Sequence, residues 1–229
     1  MNNPKFSIVL IDADDTIFDF KKAEFSAFKK TLNSFGADCS DKDVEVYSEI
    51  NLRCWKELEK GTLTRSDLQL KRFEQWFDYM GLKLDAKAFN DMYVPSLGEF
   101  GFLFNGAEDF LRKLSSVCDI YIVTNGMTVT QESRFNKTII KPYIKNIFIS
   151  ESIGYSKPDK AFFDFCIKEI GEPDRSEYII LGDSVSSDMQ GGRNAGISTC
   201  LFSKDKNISS HPLCDYIVSD YNEFFDVIN

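Results

Sequence analysis

The sequence predicts an α/β fold: a doubly wound parallel sheet with a block of helices inserted after the first strand. Three observations indicate this fold class. Short apolar runs rich in β-branched residues recur along the chain, segments with helical spacing lie between them, and residues 20–97 contain no convincing strand. We therefore expect a core domain built on the sheet and a cap domain built from helices.

Six runs are typical of strands that are buried on both faces, because they are apolar and nearly unbroken. They cover residues 6–11, 120–123, 147–149, 178–181, 198–202 and 216–218. Helices are predicted between several of them, at residues 107–114, 160–170 and 188–195. Gly171 and Gly196 follow the last two of these helices and are expected to end them. This alternation favours a parallel sheet covered by helices.

The inserted block consists of amphipathic segments. We expect helices at residues 22–35, 41–60, 65–80 and 87–94, with breaks at Gly36, Gly61 and Gly81. Ser40, with Asp43 three residues later, predicts the N-cap of the second helix. The predicted organisation is an α/β core of residues 1–19 and 98–229 and a helical cap of residues 20–97.

Composition argues against several classes of protein. The 229 residues include 36 acidic and 27 basic side chains, a net charge of −9, whereas a general nucleic-acid binder needs clustered Lys and Arg. No apolar run approaches the ~18 residues of a membrane span, and the N-terminus lacks the pattern of a secretory signal. Six scattered cysteines without a CxxC motif indicate reduced thiols. We expect a cytoplasmic protein with neither nucleic-acid nor membrane partners.

Acidic side chains cluster where the first predicted strand ends. Asp12, Asp14 and Asp15 occupy three of four successive positions there. Ligand sites of open α/β sheets lie at such strand ends, and Mg²⁺ is held by one or two carboxylates with water and phosphate oxygens. An aspartate beside such an ion can attack phosphorus. The alternative interpretation is an acidic turn that caps a helix.

Three further segments carry side chains suited to phosphate or to a metal ion. Thr124 and Asn125 end the second strand ahead of a glycine and offer donors to a phosphate. Lys157 precedes a predicted helix N-terminus, where an anion is favoured. Asp183 directly follows the fourth strand, and Asp188 lies five residues on, which indicates a metal site. Each has an ordinary alternative as a turn or surface residue, but their order could bring all of them into one crevice.

Together these segments resemble the four motifs of the haloacid dehalogenase superfamily. They match at Asp12-Ala13-Asp14-Asp15-Thr16, at Thr124, at Lys157-Pro158, and at Gly182-Asp183 with Asp188. The match spans the core, which would then have the superfamily's Rossmann-like sheet, and the inserted helices resemble its type 1 cap. Asp14, two residues after Asp12, resembles the acid of the phosphatase branch, which the dehalogenase branch lacks.

The resemblance implies a role for each acidic residue. Asp12 is expected to be the nucleophile and a ligand of Mg²⁺. Asp14 is expected to protonate the leaving oxygen, then to deprotonate water, and its backbone carbonyl would also bind the metal. Asp183 would complete the protein ligands of Mg²⁺, and Asp188 would orient metal-bound water without being a ligand itself.

The remaining matched residues are expected to act on the substrate phosphate. Thr124, with the Asn125 amide, would hold phosphoryl oxygens. Lys157 would neutralise the charge that grows on the phosphate and on the nucleophile. The resemblance thus implies that Thr124 and Lys157 are catalytic beside Asp12 and Asp14.

A closer resemblance is to the pyrimidine 5′-nucleotidase group that clears noncanonical nucleotides. It rests on Trp55 and on residues 12–18, 72–76, 124–126 and 194–196. It implies hydrolysis of nucleoside 5′-monophosphates, a small-molecule phosphate ester substrate. A phosphatase for small sugar phosphates and a phosphomutase remain as alternatives.

Aromatic side chains of the cap are candidates for stacking on a base. They are Trp55, Phe73, Trp76 and Phe77. However, the last three follow the i, i+3, i+4 spacing that is typical of a packing face, so an interior role is the alternative.

Overall fold

The computed structural model describes residues 4–172, 174–205 and 207–229 and confirms the predicted α/β fold. In this part of the chain six strands form one parallel sheet in the order β3-β2-β1-β4-β5-β6. They are β1 (Ile8–Asp12), β2 (Asp119–Thr124), β3 (Asn146–Ile149), β4 (Tyr178–Gly182), β5 (Ser198–Phe202) and β6 (Tyr216–Val218). Every predicted strand is present, with its ends shifted by two residues or fewer.

Helices fill the connections. They are α1 (Phe20–Ser34), α2 (Asp41–Glu59), α3 (Arg65–Met80), α4 (Ala86–Leu97), α5 (Ala107–Leu114), α6 (Thr128–Lys137), α7 (Ser150–Ile153), α8 (Lys160–Ile170), α9 (Gln190–Ala195) and α10 (Tyr221–Ile228). The predicted bounds of α3, α5 and α8 agree with the structure. The helix predicted at 188–195 is instead a π-helical turn, Val185–Met189, followed by α9.

The sheet is apolar on both faces because helices cover both. On one face Val9 and Ile11 of β1 belong to a buried cluster that includes side chains of α5 and α10. On the other face Leu10 belongs to a cluster with side chains of α8 and α9. Burial on both faces explains why the strands are unbroken apolar runs rather than alternating ones.

The strand order reverses between β1 and β4, the two central strands. From β1 the next strands along the chain, β2 and β3, are added on one side, and from β4 the next strands, β5 and β6, are added on the other side. In open α/β sheets, ligands bind outside the carboxyl ends of the strands at such a reversal. Asp12 is the last residue of β1, and Asp183 directly follows β4. The topology therefore places both carboxylates at the expected ligand-binding edge.

The chain divides into two compact units. The first contains the sheet and comprises the described residues up to Asp19 with Leu103–Thr128 and Phe135–Asn229. The second comprises Phe20–Phe102 and Val129–Arg134, so it contains α1 to α4 and part of α6. The sequence placed the end of the helical block at residue 97 and did not associate α6 with it.

The interior of the second unit is aromatic. Phe73, Trp76 and Phe77 are at most 3% exposed, and they pack against one another and against Phe28 and Phe89 with ring-centroid distances of 4.7–6.4 Å. These three candidates for base stacking are therefore interior residues, as their spacing allowed.

Trp55 differs from the other aromatic candidates. It is half-buried, and the Arg65 guanidinium lies 5.8 Å from its ring centroid.

The predicted N-cap of α2 is confirmed, because Ser40 and Asp43 form a reciprocal capping box.

Among the described residues, no helix combines the length and the apolar character needed to cross a bilayer. The six cysteines are all free thiols, and four of them are buried.

Candidate active site

A buried lysine ammonium lies between two carboxylates at the carboxyl edge of the sheet. Lys157 Nζ donates to Asp12 Oδ1, to Asp188 Oδ1 at 2.7 Å and to the Val123 carbonyl at 3.0 Å. Lys157 is 2% exposed and Asp188 is 0% exposed. Because these three bonds use all three ammonium protons, they fix both the position of the lysine and the orientation of the Asp12 carboxylate.

The local structure explains how these residues meet. Asp12 ends β1 opposite Val123 of β2, so the carbonyl that Lys157 binds belongs to the neighbouring strand. The Asn125 side chain holds the lysine backbone through a reciprocal amide pair: Nδ2 donates to the Lys157 carbonyl at 2.8 Å, and Oδ1 accepts from the Lys157 amide at 2.9 Å. Asn125 therefore positions Lys157, a role that the sequence did not indicate.

Three carboxylates surround one point of this edge. One oxygen from each of Asp12, Asp183 and Asp188 lies within 4.8 Å of the other two, and Asp183 reaches solvent whereas the others are buried. Asp14 is half-buried in the turn that follows β1 and is not part of this group. The donor set, hard oxygens with one open side, is the kind that Mg²⁺ prefers.

Charge in this group is only partly compensated. Burial raises the pKa of Asp12 well above its usual value; Lys157 opposes this rise, and the charges of Asp188 and Asp183 add to it. Desolvation, with the charges of Asp188 and Asp15, raises the pKa of Asp183 to about 7, although its side chain still contacts solvent. Excess negative charge is the condition that a divalent cation would relieve, so the residues present fit Mg²⁺.

Lys157 stays charged in this environment. Burial disfavours its ammonium form, but the adjacent carboxylates of Asp12 and Asp188 outweigh that effect and raise the pKa of Lys157. The site therefore keeps one fixed positive charge beside Asp12 over the physiological pH range.

Asp188 is held through both of its oxygens. Oδ1 accepts from Lys157, and Oδ2 accepts from the Ser184 amide at 3.1 Å. Gly182 makes this placement possible, because a Cβ there would lie 2.3 Å from Asp188 Oδ2. The sequence singled out Gly182 only as part of a motif; the contact that requires glycine becomes visible only in three dimensions.

Thr124 and Asp15 also lie at this edge of the sheet, at the end of β2 and after the end of β1. Thr124 ends β2 and is 2% exposed, and its Oγ1 accepts from the Gly126 amide at 3.0 Å, so in this bond its own proton is not used. Asp15 has a φ of 60°, which is uncommon for a residue with a side chain, in the tight turn that follows Asp12. Sequence reasoning gave Asp15 no role, yet its charge acts on Asp183.

Comparison with known proteins identifies the family. The profile of haloacid dehalogenase-like hydrolases matches residues 6–196. Over 196 residues the chain is 31% identical to the pyrimidine 5′-nucleotidase YjjG of Escherichia coli K12, covering 86% of this chain and 85% of that protein. Over 227 residues it is 30% identical to the pyrimidine 5′-nucleotidase PynA of Streptococcus pneumoniae R6, with coverages of 98% and 95%.

A solved structure shows the same fold. The crystal structure of Bacillus subtilis YfnB, bound to magnesium, superposes with a TM-score of 0.92 at 30% identity. The similarity covers 98% of this chain and 99% of YfnB.

Proposed function

Since the chain belongs to the haloacid dehalogenase-like hydrolase family and is a phosphoric monoester hydrolase, we propose that it is a Mg²⁺-dependent 5′-nucleotidase for pyrimidine nucleoside 5′-monophosphates. The observation that carries the proposal is the buried Asp12, ion-paired with Lys157 and grouped with two further carboxylates. The similarity to two pyrimidine 5′-nucleotidases, over most of both chains, supports the substrate class.

Asp12 and Asp183, with the backbone carbonyl of Asp14, are the groups that would hold the metal. When bound, Mg²⁺ would shield the negative charge of the phosphate from that of the carboxylates. Asp188 would not need to be a direct ligand, because its two oxygens already accept from Lys157 and Ser184. Its role would be to hold Lys157 in place and to orient water near the metal.

In the first half-reaction an Asp12 carboxylate oxygen forms a bond to phosphorus while the bond from phosphorus to the ribose 5′ oxygen breaks. Asp14 gives its proton to that leaving oxygen, which departs as the nucleoside hydroxyl. Lys157 holds the Asp12 carboxylate in one orientation and reduces the repulsion between this carboxylate and the negatively charged phosphate. Thr124 would donate its hydroxyl proton to a phosphoryl oxygen, with Asn125 keeping Lys157 in register.

In the second half-reaction water attacks the same phosphorus. Asp14, now ionised, takes a proton from the water, and the bond between Asp12 and phosphorus breaks. The products are inorganic phosphate and the original Asp12 carboxylate, so the protons and charges balance over the cycle.

A comparison of substrates tests the proposed preference. Stacking of a base on an aromatic side chain is worth about 1–3 kcal/mol, so kcat/KM for UMP should exceed that for ribose 5-phosphate by roughly tenfold or more. dTMP and dUMP should behave like UMP, and EDTA should abolish hydrolysis of all of them. If ribose 5-phosphate matches or exceeds UMP, the nucleotidase assignment is wrong, and a phosphatase for small sugar phosphates replaces it.

A further inference from the structure

An open cavity of about 540 Å³ lies at the edge of the sheet opposite the catalytic edge. Ser198 and Tyr216, which line it, are the first residues of β5 and β6, and Arg175 and Ser176 lie in the turn directly before β4. All strands are parallel, so these amino ends lie away from Asp183, by roughly 13 Å along β4 at about 3.3 Å per residue. The cavity is therefore separate from the site described above.

Two arginines give the cavity its chemical character. Arg175 and Arg193 line it together with a single carboxylate, Asp215, so the lining is positive in a chain whose net charge is −9. Their side chains are 34% and 37% exposed. The lining therefore presents an anion with two guanidinium groups and only one carboxylate.

Each guanidinium is held in place but only partly used. Arg175 donates to the Ala195 carbonyl at 2.6 Å and to Asp164 at 2.5 Å. Arg193 donates to the Leu213 carbonyl at 3.2 Å and pairs with Asp215 at 2.7 Å. A guanidinium carries five N–H groups, so three N–H groups of each arginine have no partner among the described residues.

These six donors favour a phosphate group over a carboxylate. A carboxylate offers two oxygens, whereas a phosphate monoester offers three strong acceptor oxygens and up to two negative charges. Rigid guanidinium forks match phosphate geometry, and both forks are already oriented by a carbonyl and a carboxylate. The volume lies within the range of about 300–1,000 Å³ of small-molecule sites, which leaves room for an organic group beside the phosphate.

We propose that this cavity is a second anion site that binds the phosphate group of a small phosphate ester through Arg175 and Arg193. Helix α9 links it to the catalytic edge: α9 begins directly after Met189, next to Asp188, and ends at Ala195, whose carbonyl Arg175 holds. The proposal does not depend on the identity of the substrate that is hydrolysed.

Binding is measured by calorimetric titration of the full chain in EDTA, where the uncompensated carboxylates of the catalytic edge repel phosphate and hydrolysis is absent. The probes are ribose 5-phosphate, inorganic phosphate and uncharged ribose. Wild type should bind about one equivalent of ribose 5-phosphate. Arg175→Gln and Arg193→Gln should each weaken binding at least about tenfold, which equals ~1.4 kcal/mol.

The matched control is Arg112→Gln. Arg112 is exposed, pairs with Asp109 and does not line the cavity, so its loss makes the same change in net charge elsewhere. It should bind like wild type. In all three variants hydrolysis of p-nitrophenyl phosphate with Mg²⁺ should stay at the wild-type level, which also shows that they are folded.

A variant that is expected to tighten binding, and not to weaken it, separates ligand binding from a purely structural role of these residues. Asp215→Asn removes the carboxylate that competes for Arg193 but keeps an oxygen to accept from Thr199, so it should tighten binding. Equal binding by wild type, both cavity variants and Asp215→Asn would overturn the proposal, as would equal binding of ribose and ribose 5-phosphate. If inorganic phosphate binds as tightly as the ester, the free ion is the ligand; if the ester binds more tightly, its organic group contributes. Both results support the site.

Discussion

At the scale of single residues, Asp183 carries the clearest electrostatic consequence. Its pKa is about 7 in the folded, metal-free protein, whereas an unfolded chain ionises the same carboxyl near a pH of about 4. Between about pH 4 and pH 7 the carboxyl is protonated in the folded state but ionised in the unfolded state. The free energy of unfolding therefore falls as pH rises through this range, and the effect is constant above about pH 7. The carboxylate therefore destabilises the apo protein at neutral and alkaline pH.

Asp183→Asn should accordingly raise the melting temperature in EDTA, by more at pH 8 than at pH 5. Because the side chain contacts solvent, we expect about 1 kcal/mol, which is roughly 2–4 °C for a chain of this size. Mg²⁺ should stabilise wild type more than the variant. Asp91→Asn, at an exposed helix position, is the control and should show no such pH dependence. An unchanged or lower melting temperature at pH 8 contradicts the assigned charge.

Much of the site could be predicted at this scale because its residues follow strand ends that the sheet brings together. Asp12, Asp183 and Asp188 meet for that reason. The amide pair between Asn125 and Lys157 could not be predicted, since it joins two loops 32 positions apart through their backbone and side-chain geometry. Sequence reasoning assigned the Asn125 amide to the phosphate, and the folded chain adds that the side chain of this residue holds the lysine.

At the scale of elements, the end of β4 shows how a backbone position controls a side chain. Gly182→Ala places a methyl group where Asp188 Oδ2 now lies, so Asp188 must move and its bond to Lys157 must change. We expect kcat to fall at least roughly tenfold, the effect of ~1.4 kcal/mol in the barrier. Steady-state hydrolysis of p-nitrophenyl phosphate measures this loss.

Gly81→Ala provides the comparison for that variant. Gly81 has a φ of 67° at the end of α3, with open space around it, so alanine costs stability through strain alone, about 1–2 kcal/mol. It should lower the melting temperature and leave kcat unchanged. If both variants lose activity in parallel, the Gly182 effect is general destabilisation and not the displacement of Asp188.

Two helices, α6 and α10, were not predicted from the sequence. α6 has the sequence TVTQESRFNK, in which two apolar side chains give no helical stripe, and its buried residues are the polar Thr130, Gln131 and Arg134. The N-cap Asp220, which accepts from Asn222 and Glu223, was a usable signal for α10. Hydrophobic spacing finds helices with an apolar face; α6 is buried through polar side chains instead.

At the scale of the whole molecule, the fold class could be predicted from the order of strands and helices alone, because alternating βα units allow few topologies. The bounds of the helical unit were less accessible. Phe100 and Phe102 extend it beyond residue 97, and Val129–Arg134 joins it from a distant part of the chain. Such associations depend on packing, which a local pattern does not contain.

The packing of the helical unit predicts that the two tryptophans contribute differently to stability. Trp76 is 0% exposed, and its indole N–H donates to the Asp43 carbonyl at 2.7 Å, so Trp76→Ala should cost about 3–5 kcal/mol of stability. Trp55 is half-buried, so Trp55→Ala should cost far less, and it is the tryptophan that remains a candidate for contact with a base.

Urea unfolding of both tryptophan variants measures this difference, and kcat/KM for UMP against ribose 5-phosphate measures selectivity. A fall in selectivity for Trp55→Ala alone would assign the base contact to Trp55. Similar stability of the two variants would contradict the packing described here.

The proposed mechanism depends on Asp12 as the nucleophile, and the turnover of UMP by Asp12→Asn with saturating Mg²⁺ tests this role most directly. An amide is a poor nucleophile and a neutral ligand, so kcat should fall below about 1% of wild type, while the exposed Asp91→Asn keeps full activity. The variant should remain folded, because the change removes one of three clustered carboxylates. Turnover above that level by a folded Asp12→Asn protein would contradict the assignment of Asp12 and with it the proposed mechanism.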